Sequence, residues 1–209
     1  MRINEIFRSI QGEVDVGMLS TFVRMSVCNL SCDFCDTKYA KKGKEISLRN
    51  LVPKIECCNV NNIVFTGGEP LLQKEELSQL MALLKRDNGA YNFYLETNGT
   101  IYDDILKCFK GVSCSPKKQA KGYDESYSEY SILENVRFKF VYEKEDERWW
   151  EDFQKKFQIP SDRIYIMPEG KSRRDQNKKM KEVAEYCVSR GYNFTPRIHV
   201  LIWGKRRGK

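Results

Sequence analysis

Three cysteines lie close together in the sequence and could hold a metal centre. Cys28, Cys32 and Cys35 have the spacing C-x3-C-x2-C, directly after an apolar and β-branched run over residues 21–27 that predicts a strand. Thiolates are soft ligands that suit zinc, Cu(I) or iron–sulfur centres. A structural zinc site needs four ligands, and the nearest further cysteine is Cys57. Three thiolates on one loop fit a four-iron cluster with one iron open to a small molecule. A zinc site completed by a distant cysteine is the alternative.

A second motif, Thr66-Gly67-Gly68-Glu69-Pro70, follows another predicted strand. Adjacent glycines let backbone carbonyls approach a ligand ammonium group closely, because they carry no Cβ. The Glu69 carboxylate could accept N–H groups of the same ligand. A ligand-binding loop is therefore expected here, and a simple turn is the alternative.

The elements that must position these motifs alternate between strand and helix. Apolar or alternating runs predict strands over residues 21–27, 62–66, 92–96, 111–115, 136–142, 163–167 and 197–203. Helical spacing predicts helices over 74–85, 145–157 and 174–190, the last ended by Gly191. Residues 117–134 are expected to form a long loop or irregular edge. This α/β pattern predicts a mainly parallel sheet, open or curled into a full or partial barrel. Polar loops after the strands should then meet at one end of the sheet.

Length and composition favour an ordinary globular protein. The chain has 209 residues, so one domain spanning 1–209 is expected. Its 41% hydrophobic and 31% charged residues exclude a mostly disordered chain. It contains no apolar run long enough to span a membrane and no apolar signal core near Met1, so a cytoplasmic protein is expected. Clustered cysteines in that compartment indicate metal binding or catalysis.

Two further features are assigned no chemistry. The net charge of +7 includes a basic C-terminal end, residues 205–209, which is expected to be a solvated tail, so nucleic-acid binding is not expected. The remaining five cysteines are expected to be buried as small apolar residues. They are Cys57, Cys58, Cys108, Cys114 and Cys187.

Together the two motifs resemble the signatures of radical S-adenosylmethionine (SAM) enzymes. The cysteine loop carries the aromatic Phe34 just before its third cysteine, and the Gly-Gly-Glu-Pro loop follows in the expected order. The resemblance implies a partial or modified (β/α) barrel of the radical SAM type. It also implies a [4Fe–4S] cluster whose open iron is chelated by the amino and carboxylate groups of SAM.

A closer resemblance, to 7-carboxy-7-deazaguanine synthases, spans nearly the whole chain. It rests on the segments 5–13, 22–24, 28–37, 96–100, 115–117 and 199–209. One departure is Val14, where the family usually has glycine after Gln-Gly-Glu. The resemblance implies conversion of 6-carboxy-5,6,7,8-tetrahydropterin to 7-carboxy-7-deazaguanine with loss of ammonia, a step of 7-deazapurine (queuosine-type) biosynthesis. It further implies Mg2+, a homodimer, and an electron donor such as flavodoxin or ferredoxin.

The resemblance also implies roles for individual residues. Cys28, Cys32 and Cys35 would hold the cluster, and Thr37 would bind Mg2+ through its hydroxyl. His199 is either an active-site residue, as the match implies, or a satisfied strand residue. The expected SAM contacts are Phe34, Cys35, Asp36, Gly68, Ser115, Pro116, Lys117, Met167, Pro168, Glu169 and Gly170. The expected substrate contacts are Ile10, Gln11, Gly12, Arg24 and Thr66.

Two alternatives remain open at this point. Another small radical SAM enzyme, such as a glycyl-radical activase, would share the cysteine loop but would not need the Gln-Gly-Glu segment or a Mg2+-binding Thr37. A non-catalytic zinc or iron–sulfur module could instead use the basic tail on RNA.

Overall fold

The computed structural model describes residues 1–32, 35, 42–87, 89–204 and 206–208. Within these residues, nine strands form one sheet and six α-helices surround it. The strands are β1 (Arg2–Ile10), β2 (Leu19–Met25), β3 (Lys44–Glu45), β4 (Asn62–Gly67), β5 (Asn92–Thr97), β6 (Gly111–Cys114), β7 (Val136–Tyr142), β8 (Ile164–Pro168) and β9 (Asn193–Phe194). The helices are α1 (Leu48–Glu56), α2 (Lys74–Asp87), α3 (Asp124–Ile132), α4 (Glu147–Lys156), α5 (Arg173–Arg190) and α6 (Ile198–Trp203).

The sheet is mainly parallel, as the alternating pattern predicts. Its strand order is β3-β1-β2-β4-β5-β6-β7-β8-β9. All neighbours from β2 to β9 are parallel, while β1 pairs antiparallel with both β2 and β3. The carboxyl ends of β2 and β4 to β8 therefore lie along one edge, where loop residues of distant sequence can meet.

Apolar side chains fix the helices against the sheet. Leu77, Leu80 and Leu84 of α2 follow helical spacing and are fully buried. Trp150 of α4 is buried with its ring centroid 6.4 Å from that of Phe140 on β7. This packing holds the strands, and hence the loops that follow them, in fixed positions.

No described helix combines the length and the apolar character that a membrane crossing requires.

Several predicted elements need correction. Residues 197–203, predicted as a strand, form the helix α6 after Arg197, because Ile198 donates its N–H to the Gly12 carbonyl (2.8 Å) and the chain leaves the sheet. The predicted loop 117–134 contains α3, whose Tyr127 and Tyr130 are three residues apart and buried.

Besides α3, four elements were not predicted from the sequence: β1, α1 and the two-residue strands β3 and β9. The edge-side strand β1 pairs along most of its length with β2, although it lacks a continuous apolar run. The helix α1 contains Pro53, a residue that normally ends a helix.

The prediction of five buried cysteines was correct for only part of the set. Cys114 and Cys187 are buried, whereas Cys58 is partly exposed and Cys57 and Cys108 are exposed. Cys57 lies at the end of α1, and Cys108 ends a short 3-10 helix. These termini lie at the surface, so the thiols are not enclosed.

Candidate active site

A cavity of about 850 Å3 occupies the concave side of the sheet. Side chains alternate along each strand, so Phe22 and Arg24 of β2 face the cavity while Val23 and Met25 join the apolar core. The next strands contribute further inward-facing residues, namely Thr66 (β4), Glu96 (β5), Ser113 (β6), Lys139 and Val141 (β7) and Met167 (β8). The strand period therefore places polar and charged side chains in a wall that also contains apolar ones.

The cysteine loop and the glycine loop lie against each other because strand pairing continues past β2 and β4. The N–H of Gly68 donates to the Met25 carbonyl (3.0 Å), and the N–H of Glu69 donates to the Val27 carbonyl (2.7 Å). A Cβ on Gly68 would lie 1.9 Å from the Val27 carbonyl oxygen. Only glycine allows this close approach, which places Gly68 beside Cys28.

The three thiols of the cysteine loop line the cavity. Burial raises the pKa of the Cys32 thiol, Lys117 lowers it, and the neighbouring Cys35 and Cys28 raise it, so the thiols lie within electrostatic range of one another. Among the described residues, no three cysteine, histidine or acidic side chains lie close enough to share a single metal ion. Three thiols that lie on one loop and face a cavity fit a cluster with one iron left open to a small molecule.

Glu69 is a structural residue of the glycine loop. Its fully buried carboxylate accepts hydrogen bonds from the N–H of Leu71 (3.1 Å), the hydroxyl of Thr97 (2.8 Å) and the N–H of Asn98 (2.7 Å). Burial raises its pKa to about 7, and these three donors oppose the shift. The carboxylate thus joins the loops after β4 and β5. Gly67 and Gly68 line the cavity instead, contrary to the expectation that Glu69 accepts ligand N–H groups directly.

Glu96 joins two residues expected to contact substrate. Its carboxylate accepts hydrogen bonds from the hydroxyl of Thr66 (2.5 Å) and the side-chain amide of Gln11 (3.1 Å). The amide oxygen of Gln11 in turn accepts the N–H of Gly12 (2.8 Å). This network fixes the orientation of polar groups on one side of the cavity.

Arg24 is held in the cavity wall by β1. Its Nε donates to Glu5 at 2.8 Å, and its guanidinium lies 5.6 Å from the ring centroid of Phe7. The paired and stacked guanidinium keeps a defined orientation next to the cavity.

A buried charged cluster forms another part of the cavity wall. Glu13 pairs with Lys139 of β7 and lies 3.3 Å from the Nε of Arg197. Burial alone would raise the pKa of Glu13, but Lys139, Arg197 and His199 hold it well below its usual range. Glu13 is therefore ionised at neutral pH.

The C-terminal segment covers part of the cavity. His199, Arg206, Arg207 and Gly208 all line it. A Cβ on Gly12 would lie 1.9 Å from Nδ1 of His199, so the imidazole packs directly on the Gly12 backbone. Residues 206–208 are thus part of the cavity wall and not only a solvated tail.

Comparison with known proteins identifies the family. Residues 22–115 match the Radical SAM superfamily. A 7-carboxy-7-deazaguanine synthase from Pyrobaculum aerophilum is 31% identical over 100% of this chain and 97% of its own length. Another, from Hyperthermus butylicus, is 33% identical over 97% of this chain and 92% of its own length. This chain belongs to the 7-carboxy-7-deazaguanine synthase family. A crystal structure of QueE from Escherichia coli shares the fold, with a TM-score of 0.72, 21% identity, and coverage of 95% of this chain and 94% of that one.

Membership of the 7-carboxy-7-deazaguanine synthase family confirms several expectations from the sequence. The chain is a radical SAM enzyme with a partial-barrel fold of that type, and its cofactors are SAM and a [4Fe–4S] cluster. The full-length matches do not favour a glycyl-radical activase or a non-catalytic module.

In this 7-carboxy-7-deazaguanine synthase, most of the residues expected at the site share the one cavity. Pro116 and Pro168 are buried behind its wall. Phe34, Asp36 and Thr37 lie outside the described residues. The expected residues that line the cavity are Ile10, Gln11, Gly12, Arg24, Cys28, Cys32, Cys35, Thr66, Gly68, Ser115, Lys117, Met167, Glu169 and Gly170.

Sequence reasoning missed the charged cluster of this 7-carboxy-7-deazaguanine synthase. Glu13 and Lys139 are 126 positions apart, so no local motif contains both. One signal was present, since Lys139 is a charged residue in the middle of the strand sequence V-R-F-K-F-V-Y. A buried charge in such a strand needs a partner of opposite sign.

Proposed function

We propose that this enzyme converts 6-carboxy-5,6,7,8-tetrahydropterin to 7-carboxy-7-deazaguanine, with loss of ammonia, in the cavity on the concave side of the sheet. The observation that carries the proposal is that the cysteine loop and the Gln11–Glu96–Thr66 network open onto the same cavity. A cofactor held by the first and a small polar substrate held by the second would be in contact there. The reaction makes the enzyme a carbon–nitrogen lyase.

The cofactor side of the cavity fits the SAM-bound cluster of a radical SAM enzyme. When bound, the cluster and SAM would supply a 5'-deoxyadenosyl radical able to take a hydrogen atom from the pterin. Cys28, Cys32 and Cys35 would hold the cluster, and the positive charge of Lys117 favours the thiolate that Cys32 must present. The Nζ of Lys117 also donates to the hydroxyl of Ser115 at 2.7 Å, which orients both side chains for SAM.

The rest of the SAM contacts come from loops at the strand ends. Gly68 offers its backbone to the SAM ammonium group, since no side chain intervenes. The segment 167–170, at the end of β8 and just after it, borders the adenine through Met167, Glu169 and Gly170, with Pro168 buried behind them. Glu169 is paired with Lys179 at 2.9 Å, which keeps the segment close to α5.

The substrate side orients the pterin through fixed polar groups. Ile10, Gln11 and Gly12 present backbone and amide groups to the pterin ring, and Glu96 holds Gln11 and Thr66 in position. Arg24 provides the positive charge for the substrate carboxylate. Thr37 would ligate Mg2+ through its hydroxyl, because a hard cation takes oxygen ligands.

Further features follow from family membership. We propose one radical SAM domain over residues 1–209, a homodimer, a cytoplasmic location, and reduction by a small electron carrier such as flavodoxin or ferredoxin. The single continuous sheet supports the one-domain proposal.

Turnover under anaerobic conditions tests the proposed function. The enzyme is reconstituted with iron and sulfide, reduced, and supplied with SAM, Mg2+ and the pterin, and the product is identified by mass spectrometry. We expect 7-carboxy-7-deazaguanine from the wild type and none from Cys32→Ala. A four-iron protein that cleaves SAM but forms no deazapurine would reject the substrate assignment, and a colourless protein with one zinc would reject the enzyme class.

A further inference from the structure

Arg197 connects two loops that line the cavity. Its side chain is 10% exposed. On one side its Nε lies 3.3 Å from the Glu13 carboxylate, and on the other its Nη1 donates to the Gly170 carbonyl at 3.0 Å. One rigid, planar guanidinium therefore spans the gap between the segment 10–13 and the loop after β8.

The loop after β8 is also connected to Arg197 by hydrogen bonds of Gln176 on α5. Gln176 is fully buried and donates its side-chain amide to the carbonyls of Pro168 (2.9 Å) and Gly170 (3.1 Å). The amide oxygen of Gln176 accepts the backbone N–H of Arg197 at 3.3 Å. Displacement of the Gly170 carbonyl would therefore move both the backbone and the guanidinium of Arg197.

Hydrogen bonds also connect the segment 10–13 to residues 195–198, the stretch that contains Arg197. The hydroxyl of Thr195 donates to the Glu13 carbonyl at 2.5 Å, and the N–H of Ile198 donates to the Gly12 carbonyl at 2.8 Å. Lys139 pairs with the other oxygen of the Glu13 carboxylate. Because these groups are buried, the ion pairs are little screened by solvent and hold the segment in one arrangement.

We infer that Arg197 is a positioning residue that couples occupancy of the SAM-binding loop after β8 to the placement of the substrate-binding segment 10–13. The inference rests on the proposed function for the assignment of the two loops. SAM bound against the loop restricts the Gly170 carbonyl, the carbonyl fixes the guanidinium, and the guanidinium fixes Glu13. Coupling between two sites is reciprocal, so bound pterin should tighten SAM binding by the same factor.

Hydrogen exchange tests the coupling without requiring turnover. The reconstituted enzyme is compared with and without SAM, and the exchange of peptides covering residues 10–13 and 167–170 is measured by mass spectrometry. In the wild type we expect SAM to slow exchange in both peptides, by about fivefold or more in the segment 10–13. In Arg197→Gln, SAM should still slow exchange at 167–170 but should no longer change exchange at 10–13. Arg197→Lys, which keeps the charge next to Glu13 but loses the planar fork, should give an intermediate value.

Arg163 provides a matched control. It donates to the carbonyls of Val136, Ser131 and Leu133 and does not line the cavity. Arg163→Gln should lower stability but leave the SAM effect at 10–13 unchanged. A purely structural Arg197 would behave like Arg163, with faster exchange overall and an unchanged SAM effect.

The inference is overturned if SAM slows exchange at 10–13 equally in the wild type and in both Arg197 variants, or if the wild type shows no such effect. These outcomes do not depend on the pterin. An enzyme that forms no deazapurine but keeps the Arg197-dependent SAM effect would reject the proposed substrate and leave the coupling intact.

Discussion

Replacing Gly68 with alanine should separate the glycine loop from the cysteine loop. The added Cβ would lie 1.9 Å from the carbonyl oxygen of Val27 and 2.4 Å from its carbonyl carbon. Both atoms belong to the backbone that leads into Cys28, so no side chain can rotate away. Relief requires a movement of about 1.1 Å, the difference from the 3.0 Å below which Cβ contacts are essentially never found.

A movement of this size should strongly reduce catalysis, because the loops are expected to hold SAM and the cluster in contact. A misplacement of about 1 Å can cost about 100-fold in rate. We expect Gly68→Ala to lower the rate of product formation by about that factor and to weaken SAM binding. Since the three cysteines are unchanged, the variant should retain most of its iron.

Three measurements separate these effects: iron content per chain, the SAM dissociation constant by equilibrium dialysis, and the rate of deazapurine formation. Gly89→Ala is the matched control, because the nearest described atom outside its chain neighbours lies 3.9 Å from the added Cβ. A Gly68→Ala variant whose rate and SAM affinity stay within about threefold of Gly89→Ala would refute the reasoning.

Substitutions at three further residues probe the cavity and the loops beside it. Glu69→Ala leaves three buried donors without an acceptor, at about 1–3 kcal/mol each, so its melting temperature should fall clearly. Burial raises the pKa of Glu69 from 4.5 to about 7. The protonated Glu69 carboxyl group therefore adds to the free energy of unfolding in full below pH 4.5, and this contribution is lost as the pH rises through 7. Glu69→Gln should remove that dependence in denaturation at several pH values. Glu96→Gln should raise KM for the pterin about tenfold in steady-state kinetics, because Thr66 loses a charged acceptor. Gly12→Ala should displace His199 and raise the same KM, and it should have no further effect in the background of His199→Ala.

Each of these predictions has an outcome that contradicts it. For Glu69, it is a Gln variant with the same pH dependence of stability as the wild type. For Glu96, it is a loss of SAM affinity in place of pterin affinity. For Gly12, it is an additive effect of the two substitutions, which would show that the glycine and the imidazole act independently.

Strands that are largely buried on both sides could be predicted, because they form nearly continuous apolar runs. Asn62–Gly67 is one example, and the limits of Val136–Tyr142 agree with the prediction. The short apolar run that forms Ile198–Trp203 was wrongly predicted as a strand, because strand and helix are indistinguishable by periodicity at that length. Its contact with Gly12 decides the outcome, and that contact is tertiary.

The site was predictable where its chemistry is local in sequence. The cysteine spacing and the glycine motif each lie on one loop, so their residue types indicate their function directly. The charged cluster of Glu13, Lys139 and Arg197 forms only when the first loop meets β7 and the C-terminal segment. Positioning residues of this kind can be identified only from the folded structure.

The central claim is that the cysteine loop and the pterin-binding network serve one cavity, so that the SAM-derived radical reaches C6 of the substrate. A pterin deuterated at C6 tests it most directly. We expect deuterium at the 5' carbon of the deoxyadenosyl group, recovered in SAM or 5'-deoxyadenosine, during formation of 7-carboxy-7-deazaguanine. Product formed with the 5' carbon free of deuterium would show that the C6 hydrogen is not transferred to this radical.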